Sequence, residues 1–232
     1  MKKIEIRTAD GICPAYDVGT GPSALLLIDG VGMRPAMLEM ALRLSLGGYR
    51  VLMPDLFYRL GQYAPNDPEK MFADPELRNA WWKRIDGVLT PPLFLRDTEA
   101  YLAELAGPVG VTGYCMGGRL ALIAAATFSD RIVAAAAYHP GNVATDAPDS
   151  PHRLAKNIKA SVYIGAASED PTFTPEQQQL LTTAFDAAHV KYQLEVYPAK
   201  HGWVPTDTPV HDAAAAEKHW QTLGALFGTA LR

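Results

Sequence analysis

A cysteine lies at the centre of a short glycine-rich motif near the middle of the chain, Gly113-x-Cys115-x-Gly117. The motif is the G-x-S-x-G pattern of a nucleophile elbow, with sulfur in place of the usual serine oxygen. An elbow residue is strained on a sharp turn, which exposes its side chain. Its neighbours two positions away must be small, because a Cβ atom there would clash with the adjoining strand and helix. The motif therefore predicts that Cys115 is a catalytic nucleophile.

The residues on either side of the motif have the pattern of a strand, a turn and a helix. The apolar run from Val109 precedes the turn, and Leu120 to Ala126 follow it with helical character. The N-terminus of that helix would present free N–H groups and a partial positive charge to the sulfur, which stabilises an anion. A buried structural cysteine beside a glycine-rich turn is the alternative. The strand-turn-helix context favours the catalytic interpretation.

A cysteine nucleophile needs a base or a cation to hold it as thiolate, and histidine can be both. His201 lies shortly after the last predicted strand, Tyr192 to Val196. His139 also follows a predicted strand and is the alternative. We favour His201 because nucleophile, acid and base follow one another in that order in α/β-hydrolases. Gly202 also leaves room beside the imidazole.

An orienting acid is expected between the nucleophile and the base. Asp170 follows the predicted strand Ala160 to Ile164, where its carboxylate would orient the imidazole and hold its tautomer. Glu169 is the alternative. The chain order Cys115, Asp170, His201 favours Asp170 as the third member of a catalytic triad.

The first central strand, Ser23 to Ile28, ends in Asp29-Gly30. In hydrolases with a nucleophile elbow, the turn after such a strand donates one N–H to an oxyanion hole. The residue after the nucleophile donates the other. We therefore predict the Gly30 and Met116 amides as the oxyanion donors. Asp29 by itself is also consistent with an ordinary strand-ending aspartate before glycine.

These residues have to be positioned by a sheet whose strands alternate with helices along the chain. The predicted strands are Ile4–Arg7, Ile12–Val18, Ser23–Ile28, Arg50–Met53, the elbow strand, Ile132–Ala137, Ala160–Ile164 and Tyr192–Val196, and the predicted helices are Pro35–Leu46, Pro75–Ile85, Pro91–Leu105, the elbow helix, Pro175–Ala188 and His211–Phe227. This alternation predicts an α/β fold with a mostly parallel central sheet and helices on both faces. Functional groups should gather at the carboxyl ends of its strands.

Composition narrows the class of protein. The chain has 232 residues, of which 48% are hydrophobic, and a formal net charge of −4. We expect one domain over residues 1–232, with no nucleic acid or membrane as partner. The two cysteines are too few for a disulfide framework, and we expect a cytoplasmic protein without a signal peptide. Neither a metal nor a cofactor is implied, and the sequence does not predict the oligomeric state.

Taken together, these residues resemble the dienelactone hydrolase family of α/β-hydrolases. The stretches that carry the resemblance are Gly113-Tyr114-Cys115-Met116-Gly117-Gly118, Pro54-Asp55-Leu56-Phe57-Tyr58-Arg59, Asp170 and His201-Gly202-Trp203. The resemblance extends from the first central strand to the last helix. It implies the α/β-hydrolase fold, a Cys-His-Asp triad and hydrolysis of carboxymethylenebutenolide to maleylacetate.

The resemblance also implies roles for residues around the triad. The family typically has a glutamate near the resting thiol, and Asp29 stands at that position one methylene shorter. Arg59 stands where the family has an arginine that binds the substrate carboxylate, with Tyr63 as its companion. A second substrate arginine would fall where this chain has Val204-Pro205.

The resulting hypothesis is an esterase or lactonase that acts on a small-molecule ester through an acyl-enzyme. Arg59, Tyr63, Trp81 and Trp203 are expected to line its pocket, although plain core packing is the alternative for both tryptophans. Two other classes of protein remain open. One is a non-catalytic hydrolase-like binding protein, and the other is a thiol-redox enzyme that uses Cys115, for which Cys13 would be a remote resolving cysteine.

Overall fold

The computed structural model describes residues 1–231. In that range eight strands form one sheet in the order β1-β2-β4-β3-β5-β6-β7-β8. The strands are β1 (Lys2–Thr8), β2 (Gly11–Val18), β3 (Ser23–Leu27), β4 (Arg50–Pro54), β5 (Val109–Tyr114), β6 (Ile132–Tyr138), β7 (Ser161–Glu169) and β8 (Tyr192–Lys200). The β1–β2 and β2–β4 pairs are antiparallel, and the remaining pairs are parallel. The predicted mostly parallel sheet is confirmed.

The helices cover both faces of the sheet. They are α1 (Pro35–Leu46), α2 (Pro68–Ala73), α3 (Pro75–Asp86), α4 (Pro91–Ala103), α5 (Met116–Thr127), α6 (Pro151–Leu154), α7 (Pro175–Ala187) and α8 (Ala213–Ala230). Helices α1 and α8 lie together, linked by an ion pair between Arg43 and Glu217. Helix α5 packs on β5 and β6 and also contacts α4. The fold is therefore the α/β-hydrolase fold that the sequence predicts.

The central strands are apolar because both of their faces are covered. Every residue of β3 and of β5 is buried, as expected for parallel strands between two helical layers. Gly110 in β5 allows close packing, since a Cβ atom there would lie 2.8 Å from the ring of Phe227 in α8. Burial of these two strands stabilises the centre of the sheet, and the predicted catalytic residues follow the carboxyl ends of its strands.

Two short helices and two strand ends differ from the sequence predictions. Helices α2 and α6 are not among the helices that the sequence predicts. Strands β7 and β8 also extend four to five residues beyond the predicted ends, because they pair with each other as far as Glu169 and Lys200. This extension brings both strands to the rim of the site. None of the helices in the described range is long and apolar enough to cross a membrane.

Candidate active site

Cys115 occupies the turn between β5 and α5 with φ 55° and ψ −119°, a conformation that is strained for any residue with a side chain. A Cβ atom on Gly113 would lie 2.0 Å from the Gly117 carbonyl oxygen, and one on Gly117 would lie 2.4 Å from the carbonyl oxygens of Leu27 and Ile28. Both glycines are therefore required for α5 to start against β3 and β5. The side chain of Cys115 is partly exposed in the cleft above the sheet.

Asp170 and His201 meet at the carboxyl ends of β7 and β8. The Asp170 Oδ2 atom lies 2.6 Å from His201 Nδ1, while Oδ1 accepts hydrogen bonds from the Thr172 amide at 2.8 Å and hydroxyl at 2.7 Å. Burial alone would raise the pKa of Asp170, but hydrogen bonds from His201 and Thr172 outweigh it and hold that pKa below its usual range. The carboxylate of Asp170 is therefore charged at neutral pH, and Thr172, which no sequence pattern indicated, binds its second oxygen.

His201 lies beside the Asp170 carboxylate and lines the cleft that contains Cys115. Burial disfavours the imidazolium, but the Cys115 sulfur and the Asp170 carboxylate outweigh burial and raise the pKa of His201 to about 10. His201 lines the same cleft as Cys115, and its Nδ1 atom lies 2.6 Å from the Asp170 carboxylate. The raised pKa favours the protonated imidazole of His201 at neutral pH.

The two alternatives that the sequence left open occupy different environments. Glu169 is exposed beside Lys200 and does not contact His201 through its side chain. His139 is fully buried, its ring centroid lies 5.2 Å from that of His201, and neither of its ring nitrogens has a hydrogen-bond partner within residues 1–231. Burial and the neighbouring His201 lower the pKa of His139 well below its usual value. His139 is thus a neutral ring packed against the base.

The Gly30 and Met116 amides both border the cleft that contains Cys115. In the part of the chain that the structure describes, neither N–H donates to a protein acceptor. Met116 is the first residue of α5, whose leading N–H groups have no partner inside the helix. Free amides on both sides of the nucleophile have the chemistry that an oxyanion requires.

Two consecutive tryptophans of α3 contact Gly30. Trp81 Nε1 donates to the Gly30 carbonyl at 2.7 Å. The Trp82 ring covers Gly30 so closely that a Cβ atom there would lie 2.3 Å from it. Trp81 is buried and lies outside the cleft lining, so its predicted place in the pocket is wrong, whereas Trp82 borders the cleft. The sequence pattern alone does not distinguish the buried tryptophan from the one that borders the cleft.

Trp203 also differs from its predicted role. It is fully buried, stacks on Tyr197 with 4.9 Å between ring centroids, and packs edge-on against His139 at the same distance. Trp203 therefore packs behind His139 and does not line the cleft. This position differs from the expected contact with substrate. Core packing, the alternative given above, describes this residue.

Arg59 and Tyr63 are likewise placed away from the cleft. The Arg59 guanidinium forms an ion pair with Asp97 at 2.7 Å and a second with Asp10 at 2.7 Å. The Tyr63 hydroxyl donates to Asp55 Oδ1 at 2.6 Å, beside a separate groove. Arg59 thus lies outside the cleft lining with two carboxylate partners, and the structure does not bring it together with Cys115. Tyr63, its expected companion, also lies outside the cleft lining.

Asp29 has a different partner from the sulfur that the resemblance implies. Arg34 donates to Asp29 Oδ1 at 2.7 Å and to Oδ2 at 2.9 Å, and Oδ1 also accepts the Val31 amide at 3.0 Å. Both carboxylate oxygens are therefore used in a buried ion pair. The ion pair offsets the charge of this carboxylate, which lines the same cleft as Cys115, and the effect of Asp29 on the resting thiol stays a prediction.

The cleft has a volume of about 820 Å³ and is bordered on its outer side by α3. Three cations line it, Arg78, Lys83 and Arg119. Arg119 pairs with Asp149 at 3.2 Å, whereas Arg78 donates only to the carbonyls of Met71 and Phe72 and has no carboxylate partner among residues 1–231. Within the same range, no group of three His, Cys, Asp or Glu side chains could hold a metal ion. Arg78 is thus a cation available to an anionic ligand.

The second cysteine lies far from the cleft in the sheet. Cys13 is buried on β2, and strands β4 and β3 lie between β2 and the elbow strand. Burial raises the pKa of Cys13 to about 12, which leaves an unreactive thiol. Cys13 therefore does not have the position of a resolving cysteine for Cys115, which weakens the thiol-redox alternative.

Comparison with protein families gives one match over most of the chain. The model of the dienelactone hydrolase family matches residues 14–231. A carboxymethylenebutenolidase from a Pseudomonas species is 31% identical over 204 residues, which cover 82% of this chain and 77% of that protein. An Escherichia coli protein named provisionally as a carboxymethylenebutenolidase is 27% identical over 220 residues, covering 90% of this chain and 78% of the relative.

Comparison with solved structures agrees with the fold. A Klebsiella pneumoniae protein, named provisionally as a dienelactone hydrolase, superposes with a TM-score of 0.83. The superposition covers 98% of this chain and 97% of the other, at 21% sequence identity. This likeness shows that the two chains share the arrangement of strands and helices.

Proposed function

The chain belongs to the dienelactone hydrolase family of carboxylic ester hydrolases, and on that basis we propose that it cleaves an acidic ester or lactone through a Cys115-His201-Asp170 triad. The observation that carries the proposal is the convergence of three strand ends. The cysteine of the strained elbow, the imidazole and the carboxylate 2.6 Å from it come from β5, β8 and β7. Nucleophile, base and orienting acid are the parts that acyl transfer requires.

The first half of the reaction forms an acyl-enzyme. The Cys115 thiolate attacks the carbonyl carbon, and the carbonyl π electrons move to oxygen, where the Gly30 and Met116 amides donate to the oxyanion. When the oxyanion collapses, the C–O bond to the leaving group breaks. The His201 imidazolium gives its proton to the departing alkoxide. The products of this half are a thioester on Cys115 and a neutral imidazole.

The second half returns the enzyme to its starting state. His201, now neutral, takes a proton from water as the water oxygen attacks the thioester carbon. Collapse of the second oxyanion breaks the C–S bond and releases the acid with the thiolate and imidazolium restored. Asp170 stays ionised throughout and keeps the Nδ1 hydrogen of His201 directed toward itself. Its low pKa supports that role.

The proposal is tested by trapping the thioester. The protein is screened with short-chain aryl esters and unsaturated lactones, and quenched samples are analysed by peptide mass spectrometry. An acyl mass on the peptide that contains Cys115 is expected, and prior treatment with iodoacetamide should abolish both the adduct and turnover. Turnover that persists after complete alkylation of Cys115 would contradict the triad.

Arg78 gives the proposal its substrate class, because it is a cation in the cleft without a carboxylate partner in the described range. We expect Arg78→Ala to lower kcat/KM for acidic esters by about 10- to 100-fold, since a charged hydrogen bond contributes roughly 1.5–3 kcal/mol. Neutral aryl acetates should change by less than about threefold, because they lack the anion that the guanidinium would bind.

Arg131→Ala is the matched control for Arg78→Ala. Arg131 also donates to backbone carbonyls, those of Leu102, Leu105 and Gly107, but it lies outside the cleft. It should leave the preference for acidic over neutral esters unchanged. Equal losses for both ester classes in Arg78→Ala would show that Arg78 does not bind the substrate carboxylate.

A further inference from the structure

Arg34 stands at the start of α1 and is 3% exposed, which is rare for arginine. Its guanidinium lies between two carboxylates from distant parts of the chain. Nη1 and Nη2 donate to Asp29 at 2.7 and 2.9 Å, while Nε and Nη2 donate to Asp207 at 2.8 and 3.1 Å. Both contacts are bidentate, a geometry that lysine could not reproduce.

The ion pair between Arg34 and Asp29 holds the turn that contains Gly30. Besides Arg34, Asp29 Oδ1 accepts the Val31 amide, so the polar ends of the Gly30–Val31 peptide are both bound, the carbonyl to Trp81 Nε1 and the N–H to Asp29. Arg34 Nη1 also donates to the Gly32 carbonyl at 3.1 Å. The backbone around Gly30 therefore depends on the guanidinium.

The ion pair between Arg34 and Asp207 binds the segment that follows His201. Asp207 lies six residues after His201, and its neighbour Thr208 donates its hydroxyl to the carbonyl of Gly202 at 2.8 Å. Thr208 and His201 both line the cleft. Arg34 thus connects the turn that holds the Gly30 amide to the loop that begins with His201.

Stability alone gives a weak reason for such a group. A buried ion pair loses solvation on folding, and well-packed apolar residues often stabilise a protein equally well. Its fixed bidentate geometry does offer accurate placement of two backbone segments, which catalysis requires within about 0.5 Å. We propose that Arg34 is a positioning residue that holds the Gly30 oxyanion donor in register with His201. This inference rests on the proposed function.

The test uses two reactions of the same sulfur. Ester hydrolysis passes through an oxyanion, whereas alkylation of Cys115 by iodoacetamide does not, so only hydrolysis uses the Gly30 amide. Arg34→Met, which removes the charge and keeps an apolar chain, should lower kcat about 10- to 100-fold with KM within about twofold. The alkylation rate should fall far less than kcat, although Asp29 loses its partner and lines the same cleft as the sulfur. The kcat of Arg34→Lys should lie between those of Arg34→Met and the wild type.

Arg50→Met is the matched control, because Arg50 forms a bidentate pair with Asp17 between β4 and β2, outside the cleft lining. It should change melting temperature without changing kcat. If Arg34→Met does not fold, Asp207→Asn carries the test, since it leaves the pair with Asp29 in place. A drop in kcat with unchanged alkylation is the expected result for Asp207→Asn, because Asp29 keeps its partner.

Three outcomes would overturn the inference. They are an unchanged kcat in the folded variant, a parallel loss of hydrolysis and alkylation, and an equal loss of kcat in Arg50→Met. Failure of the proposed function looks different, because full activity in a Cys115→Ala variant would then be observed whatever the Arg34 variants do. The two hypotheses can therefore fail separately.

Discussion

Replacing Cys115 with alanine is expected to abolish ester hydrolysis, with a loss in kcat on the order of 10⁴- to 10⁶-fold. No other group on the elbow can form the acyl bond. The fold should survive, because alanine keeps the Cβ atom and therefore adds no backbone strain at φ 55°. The measurement is kcat on the best aryl ester, together with the melting temperature of both proteins.

Cys13→Ala is the matched control, since Cys13 is the other cysteine of the chain and is fully buried. It should retain wild-type kcat and the same rate of inactivation by iodoacetamide, at some cost in stability from the lost packing. A folded Cys115→Ala variant with normal turnover would refute cysteine catalysis. The protein would then be a hydrolase of the same fold with a different nucleophile.

Local patterns in the sequence were enough to predict that Cys115, Asp170 and His201 lie together at the carboxyl ends of the strands. The elbow glycines are identifiable because the clash they avoid arises within one strand-turn-helix unit, and Gly113 shows this clash at 2.0 Å. Asp170 and His201 follow from chain order, because parallel strands bring their carboxyl ends to the same edge of the sheet. That Asp170 and His201 then meet at 2.6 Å is the structural result of a topology that alternation already indicates.

The substrate pocket could not be predicted in the same way, because long-range partners decide where a charged side chain points. Arg59 pairs with Asp97, which lies 38 residues later on α4, and nothing in the local sequence of Arg59 indicates this. Arg34 pairs with Asp207 across 173 residues. A cation is available to a ligand only when the fold gives it no acid partner, and that depends on the whole chain.

The same limit applies to neighbouring residues on a helix. Trp81 and Trp82 are adjacent, so one turns toward the core and the other toward the cleft. Which of them does so depends on the rotation of α3 about its axis, since side chains one position apart point in different directions.

Replacing His201 with alanine is expected to lower kcat on the order of 10³- to 10⁶-fold, because one imidazole serves as acid in acylation and as base in deacylation. The variant also removes the cation beside the sulfur. A free cysteine with a pKa of about 8.5 is only about 3% ionised at pH 7, so alkylation at that pH should slow by at least tenfold. Steady-state hydrolysis and iodoacetamide kinetics over a range of pH are the measurements.

The sign of the pH dependence follows from the raised pKa of His201, about 10 in the folded protein against an ordinary value of 6.5. The stabilisation that His201 contributes is fully present below pH 6.5 and is lost as pH rises toward 10. His201→Ala should therefore cost more stability near pH 6 than near pH 10. His139→Phe replaces a neutral buried ring by an apolar one, so it should lower kcat far less than His201→Ala does. It should also leave the pH dependence of stability unchanged. If His139→Phe shows the larger loss of kcat and the altered profile, the assignment of the base to His201 is wrong.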